Sequence, residues 1–224
     1  MRNRFDEQLC RLNNEIIEMG SMCEAAIIET VDALHSGDIE LAQKVKANGS
    51  SIDQMERVIE SRCMKLLLHQ QPVARDLRLI SAALKMITDM ERIGDQAEDI
   101  AEIVTFINGR TIDGMELIES MAHEATEMVT LSVDSFVKRD IKLAEQIISR
   151  DDVVDNYFAQ IKTYIIQMIA KTHDDADLAL DLLMIAKYFE RIGYVFLKRG
   201  SSKDQHIRII YTLQPKPWQK GGVL

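Results

Sequence analysis

The chain repeats itself with a period near 100 residues, and this constrains the fold more than any other feature. Gly37-Asp38-Ile39-Glu40-Leu41-Ala42 returns as Arg139-Asp140-Ile141-Lys142-Leu143-Ala144, so Asp38 and Asp140 lie 102 residues apart. Ile52-Asp53 and Val154-Asp155 keep the same spacing of 102. Further on, Met90-Glu91-Arg92-Ile93-Gly94-Asp95 returns as Phe189-Glu190-Arg191-Ile192-Gly193-Tyr194, with Glu91 and Glu190 only 99 residues apart. The second copy is therefore three residues shorter, and the loop around Pro72, or its equivalent, accommodates the difference.

Each copy reads as three helices. Only 3 of 224 residues are proline, so long helices go unbroken. Leu, Ile, Met, Ala, Glu, Lys and Gln dominate, and these are good helix formers. Gly-rich hairpin signals are absent, which gives a β reading little support. Leu9, Leu12, Ile16, Met19, Cys23, Ala26 and Thr30 step by three or four and predict a helix over 5–34, closed near Ser36-Gly37. Asp38 reads as the N-cap of a second helix reaching Gln70, with Gln70-Gln71-Pro72 as the break. Asn48-Gly49-Ser50-Ser51 would read as a loop in isolation. Its counterpart Arg150-Asp151 carries no such signal, so the helix is predicted to continue through Gly49 at a local cost of about 1 kcal/mol. Further helices are expected over 73–107, 113–137, 140–171 and from 175 to at least 193, with breaks at Asn108-Gly109, Lys138-Arg139 and Thr172-Asp175. The predicted fold is all-α: two tandem three-helix repeats, over 1–110 and 111–200, forming a six-helix bundle, with an atypical tail over 201–224.

Charge and cysteine usage narrow the function. A net charge of −9 argues against a nucleic-acid binder, which needs a basic face. Cys10, Cys23 and Cys63 form no C-x-x-C pair and read as buried free thiols in a reducing cytoplasm. No signal peptide is visible and no apolar run is long enough to span a bilayer, so any membrane role is expected to go through a partner.

The third helix carries the feature with chemical content. Glu91, Asp95, Glu98 and Glu102 fall within a helical sector of roughly 60°. The stripe Leu77, Ile80, Leu84, Ile87, projected forward, lands on Glu91, Gly94, Asp95 and Glu98, while the apolar side turns to Met90, Ile93, Ala97 and Val104. Carboxylates one turn apart repel unless something positive sits on them. Three readings stay open: a solvated acidic face, a basic protein partner, or a hard cation shared by carboxylates at i and i+4. With oxygen ligands only, Fe, Mn or Mg suit the site better than Zn. Gly94, costly in mid-helix, marks a close approach, either of a packed helix or of a ligand. Glu-x-x-His pairs are missing, so a ferritin-like oxidase is not supported. His35 reads as a polar helix-end residue. Neither a nucleophile motif nor a phosphate-binding loop is present, and the 12 methionines read as core fillers.

Several segments together resemble the PhoU family of phosphate-uptake regulators. They are Met1-Arg2-Asn3-Arg4-Phe5, the run from Gln70 to Arg78, the run from Asp89 to Glu102, and Arg150-Asp151-Asp152-Val153-Val154-Asp155. The likeness covers about residues 1–193, and 89–102 is its most specific part. It implies a bacterial cytoplasmic regulator rather than an enzyme. Its partners would be the ATPase subunit of a phosphate ABC transporter and a sensor histidine kinase, and it would form a homodimer. Some members bind multinuclear metal clusters through Glu/Asp-x-x-x-Asp, here Glu91-Arg92-Ile93-Gly94-Asp95. The resemblance thus implies Glu91 and Asp95 as metal ligands, with Asp99 and Glu98 behind them, and the oxygen-only donor set favours Fe, Mn or Mg as the metal. The alternatives are a metal-binding helical scaffold or a metal-dependent enzyme of unknown substrate.

The second copy departs from that pattern. Positions equivalent to Asp95, Glu98 and Asp99 hold Tyr194, Leu197 and Lys198, which cannot bind a hard metal. The tail after Gly200 does not resemble the family. Either a natural specialisation silences the second site, or the reading frame shifts after Gly193. On both accounts a metal is expected at the first repeat only.

Overall fold

The computed structural model of the chain describes residues 2–69, 73–110, 114–171, 176–199 and 205–207. Among these residues are six helices: α1 (Arg2–Ser36), α2 (Ile39–His69), α3 (Ala74–Ile107), α4 (Met115–Lys138), α5 (Ile141–Lys171) and α6 (Ala176–Tyr194). The expected starts near Asp113 and Asp175 and the breaks at 70–72 and 172–175 lie wholly or partly outside the described residues.

The repeat is visible in the caps. The Asp38 carboxylate accepts from the Leu41 amide at 3.0 Å, and the Asp140 carboxylate accepts from the Lys142 amide at 2.9 Å. Each satisfies an amide that the first helical turn leaves without a backbone partner. Before Asp38, Gly37 takes φ +66°, a left-handed value that glycine adopts without a Cβ penalty. Before Asp140, Arg139 takes φ +55° to close α4. α2 runs unbroken through Asn48-Gly49, as its counterpart in the second copy predicts.

Within each repeat the middle helix packs on both neighbours, α2 on α1 and α3, and α5 on α4 and α6. The outer helices of each repeat also meet, α1 with α3 and α4 with α6, and the repeats join through α1 with α4 and α3 with α6. The Thr130 hydroxyl donates to the Glu24 carboxylate at 2.6 Å, and His35 meets Glu119 at 2.5 Å. These contacts run in opposite chain directions, so α1 and α4 lie antiparallel. His35 is exposed at the end of α1, as its position predicts. The core takes in Leu12, Ile16, Met19 and Cys23 from α1 and continues through all six helices.

Of the three free cysteines, Cys23 and Cys63 are buried as expected, whereas Cys10 lies on the exposed side of α1. Two further expectations need correction. Leu77 is 44% exposed, and Leu84 is only half-buried. The true core stripe of α3 is Leu79, Ile80, Ala83, Met86, Ile87, Met90, Ile93, Gly94, Ala97 and onward. The line Leu77-Leu84-Glu91-Glu98 has a period of seven, which drifts by about 20° per heptad on a straight helix. It forms the rim of the core. The acids therefore stand beside the apolar stripe and do not interrupt it. The second correction concerns strands. After α6 the chain forms β1 (Leu197–Arg199), paired antiparallel with β2 (Gln205–Ile207) in the register Leu197 to Ile207. Phe196 and Leu197 are buried, and large apolar residues of this kind favour a pleated, half-buried surface. The rest of 201–224 lies outside the described residues.

Candidate metal centre

Two glycines bring α2 and α3 together. A Cβ on Gly94 would stand 3.1 Å from Ile52 Cδ1, so Gly94 is the flat spot on which Ile52 packs. Of the two readings offered for Gly94, helix packing is the observed one. A Cβ on Gly49 would sit 1.3 Å from Glu98 Oε1, so the Glu98 side chain lies across bare α2 backbone. The helix propensity lost at both positions yields a narrow seam.

Asp53 follows Ile52 and projects into that seam opposite Glu91 and Asp95. Each of the three offers one carboxylate oxygen, and these oxygens lie within 4.8 Å of one another. Glu91 and Asp95 are thus brought together as the i, i+4 spacing requires. Glu98 sits one turn further along, beside Gly49. Asp99 turns the other way, and its carboxylate accepts the Tyr188 hydroxyl of α6. Asp53 was not among the expected ligands, and neither was Glu56, whose charge also reaches Glu91. The signal for Asp53 was present in the sequence, because Asp53 and Asp155 keep the repeat register.

The electrostatics follow from the crowding. Glu91 titrates above the ordinary carboxylate range, first because it is partly buried and then because of Asp95, Glu56 and Asp53. Asp95 is raised by partial burial and by Asp53 and Asp99. Glu98 is raised by burial and by Asp95, Asp53 and Asp99, while Lys46 opposes the shift. Arg92 opposes the rise at Glu91 and Asp95, yet its guanidinium also stands 3.7 Å from the buried Asp89. Like charges raise a carboxyl pKa because ionising one group makes ionising the next costlier. Three hard oxygen donors at this spacing suit a hard cation and offer nothing to a soft one.

The equivalent seam of the second repeat is built differently. Gly193 packs against Met128 and Val154, so the close approach is kept. Glu190 is 9% exposed and forms an ion pair with Lys187, which stands where α3 has Thr88. The Lys187 ammonium lies 5.1 Å from the centre of the Phe158 ring, and Phe158 replaces Glu56. Tyr194 occupies the position of Asp95.

Fold and seam together define a class: a tandem three-helix-repeat bundle whose first repeat presents a carboxylate cluster between its second and third helices. The PhoU domain matches residues 16–104 and 118–195, one match in each repeat, and the chain belongs to the PhoU family. The second match ends at the point where the sequence resemblance fades. A Clostridium acetobutylicum protein named phosphate-specific transport system accessory protein PhoU homolog is 34% identical, covering 86% of this chain and 89% of the relative. An Aquifex aeolicus protein of the same name is 31% identical, covering 90% and 96%. The crystal structure of PhoU from Pseudomonas aeruginosa superposes with a TM-score of 0.80 at 28% identity, over 85% of this chain and 92% of that one. Among the described residues no helix is long and apolar enough to cross a membrane.

Proposed function

We propose that this chain regulates phosphate uptake and the phosphate-starvation response by association, not by chemistry of its own. It would act in the cytoplasm as a homodimer, binding the ATPase subunit of a phosphate ABC transporter and a sensor histidine kinase. It would thereby relay transport state to the kinase and meet the membrane only through those partners. The observation that carries this is the PhoU match in both repeats, together with relatives named as accessory proteins of a phosphate-specific transport system. The test is co-purification with the cognate ATPase subunit and kinase in the presence of phosphate. Retention of both is expected. Retention of neither would overturn the reading.

The same reading includes a hard cation, Fe, Mn or Mg, held by Asp53, Glu91 and Asp95, with Glu98 and Asp99 at the margin. The donor set fits such an ion: three carboxylates converge, Glu91 and Asp95 titrate above their ordinary values through partial burial and then through neighbouring acids, and no soft ligand lies among them. A bound cation would supply charge neutralisation, tying α2 to α3. Metal analysis of protein purified without chelator tests this. Absence of metal, with no stabilisation on Mn addition, would favour a plain helical scaffold.

A further inference from the structure

The outward face of α2 carries a second feature. Gln54, Arg57, Val58, Ser61, Lys65 and Leu68 fall within a helical sector of roughly 100°, opposite the buried Ile52, Ile59, Cys63 and Leu66. From Ala47 to Leu68 this sector holds no carboxylate, in a chain of net charge −9. Arg57 and Lys65 are exposed, and neither forms an ion pair among the described residues. Arg62, at the edge, is fixed by a two-pronged ion pair with Glu15 and a 3.0 Å bond to Gln8. Gln54, Arg57, Val58, Ser61, Arg62 and Lys65 line a groove of about 660 Å³. Its apolar member, Val58, is 43% exposed, and Leu68, just beyond the groove on the same face, is 72% exposed.

The equivalent face of α5 keeps the polar residues, Asn156 for Gln54 and Thr163 for Ser61, but neither the cations nor the large apolar side chains. Arg57, Lys65, Val58 and Leu68 correspond to Ala159, Gln167, Gln160 and Ala170, and Ser50 corresponds to Asp152. The basic, partly apolar groove therefore belongs to the first repeat alone and is not a by-product of the shared architecture.

We propose that this face of α2 docks an acidic amphipathic helix of a protein partner. The inference rests on the reading that the chain works by binding a component of the transport system. Arg57 and Lys65 are eight residues apart, about 12 Å along the axis, too far to hold one small anion together. The apolar residues between and beyond them suit a helix that pairs apolar positions one turn apart with flanking Asp or Glu. Nucleic acid suits the face poorly, because affinity for a phosphate backbone needs more cations than two unpaired ones. Complementary charge of this kind acts mainly on association rate and on partner choice.

The test measures binding of the purified cognate transporter ATPase subunit, and of the kinase, to the full chain by calorimetry at low and high salt. R57E/K65E should weaken binding to one of them by roughly tenfold or more and flatten its salt dependence. R57Q/K65Q should fall between it and the wild type. K162E, an exposed charge reversal on α5, should bind as the wild type does. Both substituted positions are exposed, and circular dichroism melting confirms that the variants fold. Wild-type binding that R57E/K65E leaves unchanged overturns the docking face while the proposed function stands. Failure of the wild type to bind either component overturns both. The proposal also falls if R57E/K65E instead abolishes self-association in sedimentation, making the groove a contact between copies. It falls equally if the variant abolishes binding of inorganic phosphate, making the groove an anion site.

Discussion

The two inter-helix seams of this protein share one backbone plan and opposite chemistry. In both, a glycine on the third helix receives a branched side chain from the second, Ile52 at Gly94 and Val154 at Gly193. Between α2 and α3 the groups beside that contact are Asp53, Glu56, Glu91 and Asp95, all acids. Between α5 and α6 they are Asp155, Phe158, Glu190 and Tyr194, with Lys187 paired to Glu190. The first seam concentrates negative charge, which Arg92 and Lys46 oppose only from its edges. The second has its own cation and an aromatic wall. Packing and charge are thus separable: the repeat preserves the packing, and the charge has diverged.

The largest effect expected from breaking this contrast is on metal-linked stability. Mn at about 100 times its dissociation constant should stabilise the wild type by roughly 2.7 kcal/mol. D95N should abolish that gain, whereas E190Q should leave it intact. Thermal melts with and without Mn decide the matter.

Exchanging the lysine comes next. K187T leaves Glu190, almost buried, without its ion pair, and should cost about 1–3 kcal/mol in denaturant unfolding. The reverse change, T88K, places an ammonium three residues before Glu91 and beside Glu56. It should stabilise the metal-free protein by about 0.2–0.5 kcal/mol and weaken Mn binding. Should T88K leave Mn affinity unchanged, the cation site would not lie in the first seam.

The glycines give a smaller and sharper test. Replacing a mid-helix glycine by alanine contributes about 1 kcal/mol through helix propensity alone. At Gly94 the new methyl meets Ile52 at 3.1 Å, a β-branched side chain held in the core. At Gly193 it meets the Met128 thioether at 3.2 Å, which can swing away. G193A should therefore be neutral or stabilising by up to about 1 kcal/mol, and G94A destabilising by about as much. Equal effects at the two positions would show that the seams are packed alike in rigidity as well as in plan.

Acidification gives the smallest change. Folded Glu91, Asp95 and Glu98 titrate above their ordinary values of 4.5, 3.8 and 4.5, so the folded state binds their protons more readily than the unfolded state does. Their contribution to stability is present in full below those ordinary values and is lost as pH rises through the raised ones. The metal-free protein should thus lose a stability increment on going from about pH 4 toward neutrality, and D95N should lose less. Bound Mn should reverse the trend, since protons compete with the cation for the same oxygens.

Much of this was legible in the sequence because the chain is written twice. Asn48-Gly49 alone reads as a loop, and only its counterpart Arg150-Asp151 shows that α2 runs on. The i, i+4 pairing of Glu91 with Asp95 is local to one helix, and local spacing fixes it. Asp53 was missed for the opposite reason. It meets Glu91 and Asp95 across two helices, and that meeting depends on the depth to which Ile52 sinks onto Gly94. The stripe through Leu77 failed because a period of seven drifts off the core face of a straight helix. The short strands after Tyr194 were missed because the second copy departs from the first there: Leu197 and Lys198 align with Glu98 and Asp99 inside α3, so the repeat register points to helix where the chain forms a strand.

The contrast between the seams is tested most directly by locating the cation. Mn is paramagnetic, and its broadening of backbone amide signals marks the residues nearest to it. Added Mn should broaden the amides around Asp53, Glu91 and Asp95 and spare those around Asp155 and Glu190. Broadening centred on Glu190, or equal at the two seams, would contradict the account.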